Sequence, residues 1–229
     1  MPMPLERPAC TCFQSASDSV IHTEPQDLES DAWHQLLELI DRAVATGATE
    51  FAPGPALGWQ TWWQIVTLPP SIGRLTSVRK LMLYGSNLDQ LPPEIGEMES
   101  LEELDLYTSY RLHWLPYEVT RCPNLKSSCI STRALYGNYK QRHPFPRLQD
   151  GPDFLPEVTP RQCSVCRSPL ASTIMRRWIS LNIATDVVPL LVHACSKNCL
   201  DSLPTPPSNY VRHPHTGGTH LQQPQRGRM

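Results

Sequence analysis

The first regular pattern of hydrophobic positions lies between residues 31 and 46. Apolar side chains recur there at spacings of three and four residues, which places them along one face of a helix. They are Trp33, Leu36, Leu37, Ile40 and Val44. Ser30 or Asp31 is suited to cap the start of this helix, and Gly47 is suited to end it. The pattern therefore predicts one amphipathic helix that needs a partner surface.

A cluster of tryptophans follows the predicted helix. Prolines and glycines interrupt regular structure between residues 53 and 58, and Trp59, Trp62 and Trp63 come directly afterwards. Two interpretations are open. We favour core packing between the helix and the segment that follows, and an exposed aromatic binding patch is the alternative.

From residue 68 onward the sequence repeats itself. Leu-Pro-Pro-Ser-Ile-Gly begins at Leu68, Leu-Pro-Pro-Glu-Ile-Gly at Leu91, and the related Leu-Pro-Tyr-Glu-Val-Thr at Leu115. Two related segments lie between these copies, Val78-x-x-Leu81-x-Leu83 and Leu101-x-x-Leu104-x-Leu106. This period and this strand motif are the template of a leucine-rich repeat. We therefore predict short parallel strands joined by proline-containing corners.

The repeat array is short for an independently stable solenoid. A third strand copy, beginning at Leu125, has lost some of its leucines, and each repeat needs a neighbour to cover its apolar face. We expect the helix and the tryptophan cluster to cap the N-terminal end. Ser86 and Ser109 occupy the positions of the usual asparagine ladder and can still bond to nearby backbone groups.

Side chains alternate along a strand, so the residues between the buried leucines form an outward-facing surface. The candidate partner-binding residues on this surface are Lys80, Met82, Tyr84, Glu103, Asp105, Tyr107 and Cys129. Tyrosines beside mixed charges suit recognition of a protein partner. Ordinary cross-strand packing is the alternative.

Two closely spaced cysteine pairs lie in the C-terminal half. Cys163-Ser-Val-Cys166 and Cys195-Ser-Lys-Asn-Cys199 can each supply two thiolates from one tight turn, and four thiolates complete a tetrahedral shell. Zinc suits such a set and has no redox activity, so we predict a structural zinc ion. Disulfides are less expected, since we place the chain in the reducing cytoplasm.

The sequence between the cysteine pairs supports this prediction. Residues 175–183 and 187–194 have the composition of two strands, and a short helix beginning with Ser196 carries the second pair. This order resembles the treble-clef class of zinc domains, and the resemblance transfers ligand roles to the four cysteines alone. His193 is a possible substitute ligand. A thioredoxin-like redox pair is a further alternative, although it needs a cysteine pair that opens a helix.

Composition adds mainly exclusions. With 20 basic and 22 acidic residues the net charge is −2, so the whole chain has no electrostatic footprint for nucleic acid. No run of eighteen apolar residues is present, and residues 1–8 lack the apolar stretch of a secretory signal. Among the other cysteines, Cys122 is expected to be a small buried hydrophobe, and Cys10 and Cys12 to bind metal adventitiously at most.

These patterns define an α/β chain: a short leucine-rich-repeat solenoid with an N-terminal capping helix and a small C-terminal α+β zinc module. The predicted segments are a disordered leader (1–27), a helical and aromatic cap (28–66), leucine-rich repeats (67–136), an extended strap (137–160), a four-cysteine zinc module (161–203) and a disordered tail (204–229).

The stretch from about Asp31 to Leu203 resembles a group of bacterial leucine-rich-repeat proteins. The two Leu-Pro-Pro-x-Ile-Gly segments, residues 131–139 and residues 192–199 carry the resemblance. It implies a noncatalytic scaffold that binds a protein partner, and it brings no enzymatic activity. No phosphate-binding glycine loop, zinc-protease helix or nucleophile elbow occurs in the sequence.

Two other functions remain open at this point. One is a zinc-dependent nucleic-acid-binding regulator that uses arginines around the metal module, namely Arg161, Arg167, Arg176 and Arg177. The other is a redox or metal sensor that uses the cysteine pairs.

Overall fold

The computed structural model describes residues 10, 12–13, 19–22, 24–151, 160–170 and 174–225. The predicted disordered leader and tail, and the predicted strap, therefore fall partly outside the described residues. Within the described part the architecture is mixed α/β, with one parallel sheet, one mixed sheet and a few helices.

The N-terminal helix α1 covers Asp31–Thr46, as the hydrophobic pattern predicts. The Ser30 hydroxyl caps it by accepting a hydrogen bond from the Trp33 amide, and Gly47 ends it in the left-handed conformation. The face that carries Leu36 and Ile40 is buried in the main hydrophobic core. The strand β1 (Glu50–Phe51) and two short helices follow, α2 (Pro53–Leu57) and α3 (Trp59–Trp62).

The repeats form a four-stranded parallel sheet in the order β1, β2 (Lys80–Met82), β3 (Glu103–Leu106) and β5 (Ser127–Ile130). Equivalent positions of successive copies lie side by side, so that Leu81 is opposite Leu104. Each copy also contains a 3₁₀ helix at the corner after its Leu-Pro motif. These helices are Pro70–Arg74, Pro93–Glu97 and Tyr117–Arg121.

The glycine of the Ile-Gly motif allows these corners to pack closely. A β-carbon on Gly73 would lie 2.9 Å from the carbonyl oxygen of Glu94 in the next copy, and one on Gly96 would lie 2.5 Å from that of Glu118. Thr120 occupies the same position in the third copy, where it is exposed. The motif is therefore kept where another repeat follows and changed where none does.

Ladder serines replace asparagine as expected. The Ser86 hydroxyl donates a hydrogen bond to the Ser109 hydroxyl at 2.8 Å, and the Ser109 hydroxyl donates to the Leu83 carbonyl at 3.2 Å. Both serines are buried. Serine hydroxyls thus make the hydrogen bonds inside the loop that the longer asparagine side chains usually make in such repeats.

The second sheet joins the third repeat to the C-terminal segment. Its order is β4 (Leu115–Pro116), β7 (Asp186–Ala194) and β6 (Met175–Ile183), with β6 and β7 forming an antiparallel hairpin. Leu115 pairs directly with Leu190, so the hairpin is attached at the corner of the third repeat, and the same hydrophobic core runs through both. A short helix α4 (Lys197–Asp201) follows.

The lost leucines of the third copy have a structural reason. Ser128 lies opposite Leu104 in the sheet, and its hydroxyl is 2.8 Å from the Asp186 carboxylate and 3.0 Å from the Ile183 carbonyl. Thr185 bonds to the Ser128 backbone as well. The degraded copy therefore docks the hairpin turn through polar groups.

Two segments expected to be disordered contain residues with defined contacts. In the tail, Tyr210 and Val211 are buried, and the His215 backbone pairs with Trp178 on β6. In the leader, Cys12 and Ser19 are buried, and the Ser19 hydroxyl donates to the Pro144 carbonyl. Isolated apolar residues without a period give no sequence signal, and here they are ordered by long-range contacts.

The strap packs against the β6–β7 hairpin. Phe145 and Leu148 belong to a small aromatic core with Trp114 and Trp178, and the Trp178 indole donates to the Pro146 carbonyl. The described part of the strap therefore lies over the β6–β7 hairpin as well as the last repeat.

Candidate metal centre

The first cysteine pair lies in a tight turn before β6. The Cys163 amide bonds to the Ser168 carbonyl, and the Arg167 amide bonds back to the Cys163 carbonyl. Arg167 adopts a left-handed conformation, which closes the turn. This turn is held against the third repeat, because the Arg121 guanidinium donates to the carbonyls of Cys163 and Ser164.

The second pair lies where β7 passes into α4. Cys195 follows the strand, and Cys199 lies one turn into the helix. Ser196 caps the helix by accepting a hydrogen bond from the Cys199 amide, the arrangement that the sequence predicts. Strand and cap together fix the direction of both thiols.

The structure brings the four predicted ligands together. The Sγ atoms of Cys163, Cys166, Cys195 and Cys199 all lie within 4.8 Å of one another. The Cys166 and Cys195 Sγ atoms are 3.5 Å apart, and those of Cys195 and Cys199 are 3.7 Å apart. All four are free thiols rather than disulfides. The cluster can hold a metal ion.

The surroundings of the four-cysteine group favour the thiolate form of Cys166. Hydrogen bonds from Ser168 lower the pKa of the Cys166 thiol to about 6, and Cys166 is exposed. The neighbouring Cys166 raises the pKa of Cys195 to about 12, as expected when adjacent thiols cannot both ionise without a cation between them. The Cys195 amide also points at the Cys163 sulfur, at 3.4 Å.

His193 is not part of the four-cysteine group that the structure assembles. Its ring is buried, and burial lowers its pKa to about 3, so it is neutral. The Ser164 hydroxyl instead accepts a hydrogen bond from the His193 backbone amide. The possible substitute ligand is thus a core residue that aligns the first cysteine turn with β7.

The thioredoxin-like alternative lacks its structural context. A redox pair of that class has two intervening residues and opens a helix after a strand. Cys163 and Cys166 have this spacing but belong to the turn that Arg167 closes, whereas Cys195 and Cys199, where β7 passes into α4, have three intervening residues.

The arginines proposed for nucleic-acid binding differ in exposure. Arg176 is fully buried and donates to the carbonyls of Gln149 and Gly151. Arg177 forms an ion pair with Asp150 at 2.8 Å. Only Arg161 and Arg167 of the four are exposed. The continuous basic surface that the nucleic-acid hypothesis needs is therefore reduced to the two arginines of the cysteine turn.

The seven candidate partner-binding residues lie at or beside one face of the parallel sheet, and all are at least partly exposed. Lys80 and Glu103 form an ion pair at 3.0 Å, so their charges largely compensate each other. Tyr107 is 54% exposed and Cys129 is exposed. Asp105 accepts a hydrogen bond from the Tyr107 amide.

The tryptophan cluster fits both of its interpretations in part. Trp62 is fully buried in the core, and the Trp63 indole donates to the Gly85 carbonyl. Trp59, at the edge of the candidate face, is 36% exposed and packs its ring edge-on against Tyr84, with centroids 5.2 Å apart. One tryptophan thus extends the aromatic surface that the sequence indicated.

Sequence reasoning missed a second group of potential ligands. The structure places one ligand atom each of Cys10, Cys12, His22 and His113 within 4.8 Å of one another. These residues come from three separate parts of the chain, so no local spacing reveals them.

No protein-family model matches the sequence, and no curated protein matches it. Among solved structures, a leucine-rich-repeat protein of Leptospira interrogans is 35% identical to this chain, with a TM-score of 0.28. The match covers 29% of this chain and 17% of the Leptospira protein. The similarity therefore concerns a short stretch of each, and the chain spans a small part of that protein's length.

Within the described residues, every helix is too short or too polar to cross a bilayer.

Proposed function

We propose that the chain is a noncatalytic scaffold for protein–protein interaction, built on a short leucine-rich-repeat solenoid and closed at its C-terminal end by a structural zinc ion. The observation that carries the proposal is the in-register parallel sheet, in which Leu81 and Leu104 are buried while alternate side chains face outward. Such a surface is wide, rigid and free to bind a partner.

The four-cysteine group suits zinc in this role. A tetrahedral zinc ion with Zn–S distances of about 2.3 Å requires sulfurs about 3.8 Å apart, close to the two separations of 3.5 and 3.7 Å. Four thiolates fill the coordination shell and leave no position for a water molecule. The zinc ion would hold the hairpin against the repeats, and we assign it no catalytic step. We place the chain in the cytoplasm, where thiols remain reduced.

The aromatic residues of the face supply its anchors. Since Lys80 and Glu103 compensate each other, charge gives little net attraction for a partner. Trp59, Tyr84 and Tyr107 offer rigid apolar area with polar tips, the composition typical of interface hot spots. The matching partner surface would be an apolar patch with a polar rim.

A double variant tests this proposal. Tyr84→Ala with Tyr107→Ala should weaken capture of the partner from a lysate of the native host, read by mass spectrometry, by at least tenfold. Tyr139→Ala, a partly exposed tyrosine in the strap, is the matched control and should retain capture. Thermal unfolding of both should match the unchanged protein. Melting of the double variant would instead identify these tyrosines as core.

The nucleic-acid alternative makes a different prediction. It requires retention on DNA or RNA that falls steeply with salt and that disappears when Arg161 and Arg167 are replaced by alanine. If the protein is not retained on DNA or RNA even at low salt, the result supports the scaffold. Salt-sensitive, arginine-dependent retention would replace it by the regulator.

A further inference from the structure

A second group of potential metal ligands joins the N-terminal segment to the third repeat. Cys10, Cys12 and His22 belong to that segment, and His113 lies just before β4, 103 positions after Cys10. Spacing along the chain indicates only a Cys-x-Cys pair, for which adventitious binding is the ordinary expectation. The folded chain supplies the other two ligands.

The distances fit a tetrahedral ion with mixed ligands. Zn–S bonds of about 2.3 Å and Zn–N bonds of about 2.0–2.1 Å require each sulfur to lie about 3.5 Å from each nitrogen. The Cys10 sulfur is 3.1 Å from His113 Nε2 and 3.5 Å from His22 Nε2. The Cys12 sulfur is 3.2 Å from His22 Nε2. The ligand atoms thus already surround a space of the correct size.

The tautomer of His113 is fixed by its other nitrogen. His113 Nδ1 lies 2.6 Å from the Ala134 carbonyl oxygen, which can only accept a hydrogen bond. Nδ1 must therefore carry the proton, and Nε2 directs its lone pair at the Cys10 sulfur. A backbone carbonyl that orients a ligating histidine in this way is a recurring feature of metal sites.

His22 lies between the two thiols and an ion pair. Its Nε2 faces both thiols, whereas Nδ1 lies 3.4 Å from a guanidinium nitrogen of Arg111 and 3.9 Å from the Glu24 carboxylate. Arg111, a buried side chain, holds that carboxylate in an ion pair at 2.5 Å. The Arg111–Glu24 ion pair thus lies on the Nδ1 side of the His22 ring, and Nε2 is left facing the two sulfurs.

Burial and charge distinguish this group from the four-cysteine group. Cys12 and His113 are buried, at 5% and 1% exposure. Two thiolates and two neutral imidazoles balance the charge of a divalent ion, so that the complex can be buried without a counter-ion. Four thiolates would leave two negative charges, and there Cys166 is exposed to solvent.

We propose that Cys10, Cys12, His22 and His113 form a second, structural zinc site that clamps the N-terminal segment onto the third repeat. Neighbouring contacts continue the same attachment. The Phe13 ring stacks on His143 with centroids 3.7 Å apart, and the Tyr136 hydroxyl donates to the Val20 carbonyl. The segment has few apolar residues, so the metal would supply much of the free energy that orders it.

Metal content of the purified full chain tests the site. The proposal expects two zinc ions per chain in the unchanged protein and one in His22→Gln, measured by elemental analysis without added metal. His34→Gln, an exposed histidine on α1, is the matched control and should retain two. The site would be overturned if the unchanged protein contained no zinc, or contained one zinc ion that the His22→Gln variant retained. One zinc ion that His22→Gln removes would support this site and contradict the four-cysteine site instead.

Cobalt substitution gives a spectroscopic readout of the thiolates that each site contributes. The thiolate-to-cobalt charge-transfer absorption grows with the number of thiolates, and two sites with four and two thiolates would contribute to it unequally. His22→Gln should remove the smaller contribution, about one third, and Cys166→Ser should reduce the larger one. Equal spectra for His22→Gln and the unchanged protein would overturn the second site.

Discussion

The backbone carbonyl oxygen of Glu118 lies against Gly96, so that a β-carbon on this glycine would stand only 2.5 Å from it. Real β-carbons do not approach backbone oxygens so closely. The glycine of the Ile-Gly motif is therefore required for close packing between successive corners. Adding a β-carbon at this position tests the requirement.

Gly96→Ala should destabilise the protein by about 1–3 kcal/mol, because two corners of backbone must separate to admit the methyl group. Denaturant unfolding measures this effect. Thr120→Ala is the control at the equivalent, exposed position of the third copy, where a change within about 0.5 kcal/mol is expected. Equal effects of the two substitutions would contradict close packing between the corners.

Ser128→Leu should destabilise the chain, although it restores the leucine of the repeat motif. The larger side chain cannot replace the hydrogen bonds to Asp186 and Ile183, and it crowds the hairpin turn. We expect a loss of about 1–3 kcal/mol in thermal or denaturant unfolding, and a smaller loss of about 1 kcal/mol for Ser128→Ala. A rise in melting temperature for Ser128→Leu would show that the third copy is merely degraded.

Glu118→Gln should stabilise the protein at alkaline pH. Burial raises the pKa of the Glu118 carboxyl, and Arg121 lies 3.9 Å away, too far for a strong hydrogen bond. Because the folded-state pKa lies above the unfolded value, the folded chain retains a proton that the unfolded chain has lost. The favourable contribution is full below the unfolded pKa and is lost as the pH rises through the folded one.

In the Glu118→Gln variant, residue 118 does not titrate and contributes no pH dependence to the unfolding free energy. The difference in unfolding free energy between variant and unchanged protein should therefore grow in favour of the variant as the pH rises from the ordinary glutamate pKa through the raised pKa of the folded state. A difference that is constant across this range would place the carboxylate in a solvated environment.

The sequence predicts those elements that have a local period. A local period is present in α1 and in the repeat strands. The strands on either side of residues 184–185 are predicted from their composition, and the two cysteine pairs show the spacing of a metal knuckle. These features depend on neighbours within a few residues, or on a step repeated along the chain.

Other contacts could not be found in this way. The pairing of Leu115 with Leu190, the hydrogen bond of Arg176 to the Gln149 carbonyl and the approach of His113 to Cys10 each join residues far apart in sequence. A single histidine or arginine looks the same whether it lies at the surface or in a cluster. Only the folded topology distinguishes the two.

Cys163→Ser should remove zinc from the four-cysteine group and unfold the hairpin, since metal binding and folding are coupled in such sites. Cys122→Ser, which changes a buried thiol whose hydrogen bond is to the Ile95 carbonyl, is the control and should keep its metal. Elemental analysis together with near-ultraviolet circular dichroism measures both effects. Loss of zinc from the Cys122 variant, or a zinc content in the Cys163 variant equal to that of the unchanged protein, would contradict the ligand assignment.

Hydrogen exchange along β7 tests most directly whether a metal at the four cysteines holds the hairpin to the repeats. The amides of Asp186–Ala194 should be protected in the metal-loaded protein and should lose most of that protection in Cys163→Ser, while β2 and β3 stay protected. Unchanged protection of β7 after loss of the metal would contradict the account.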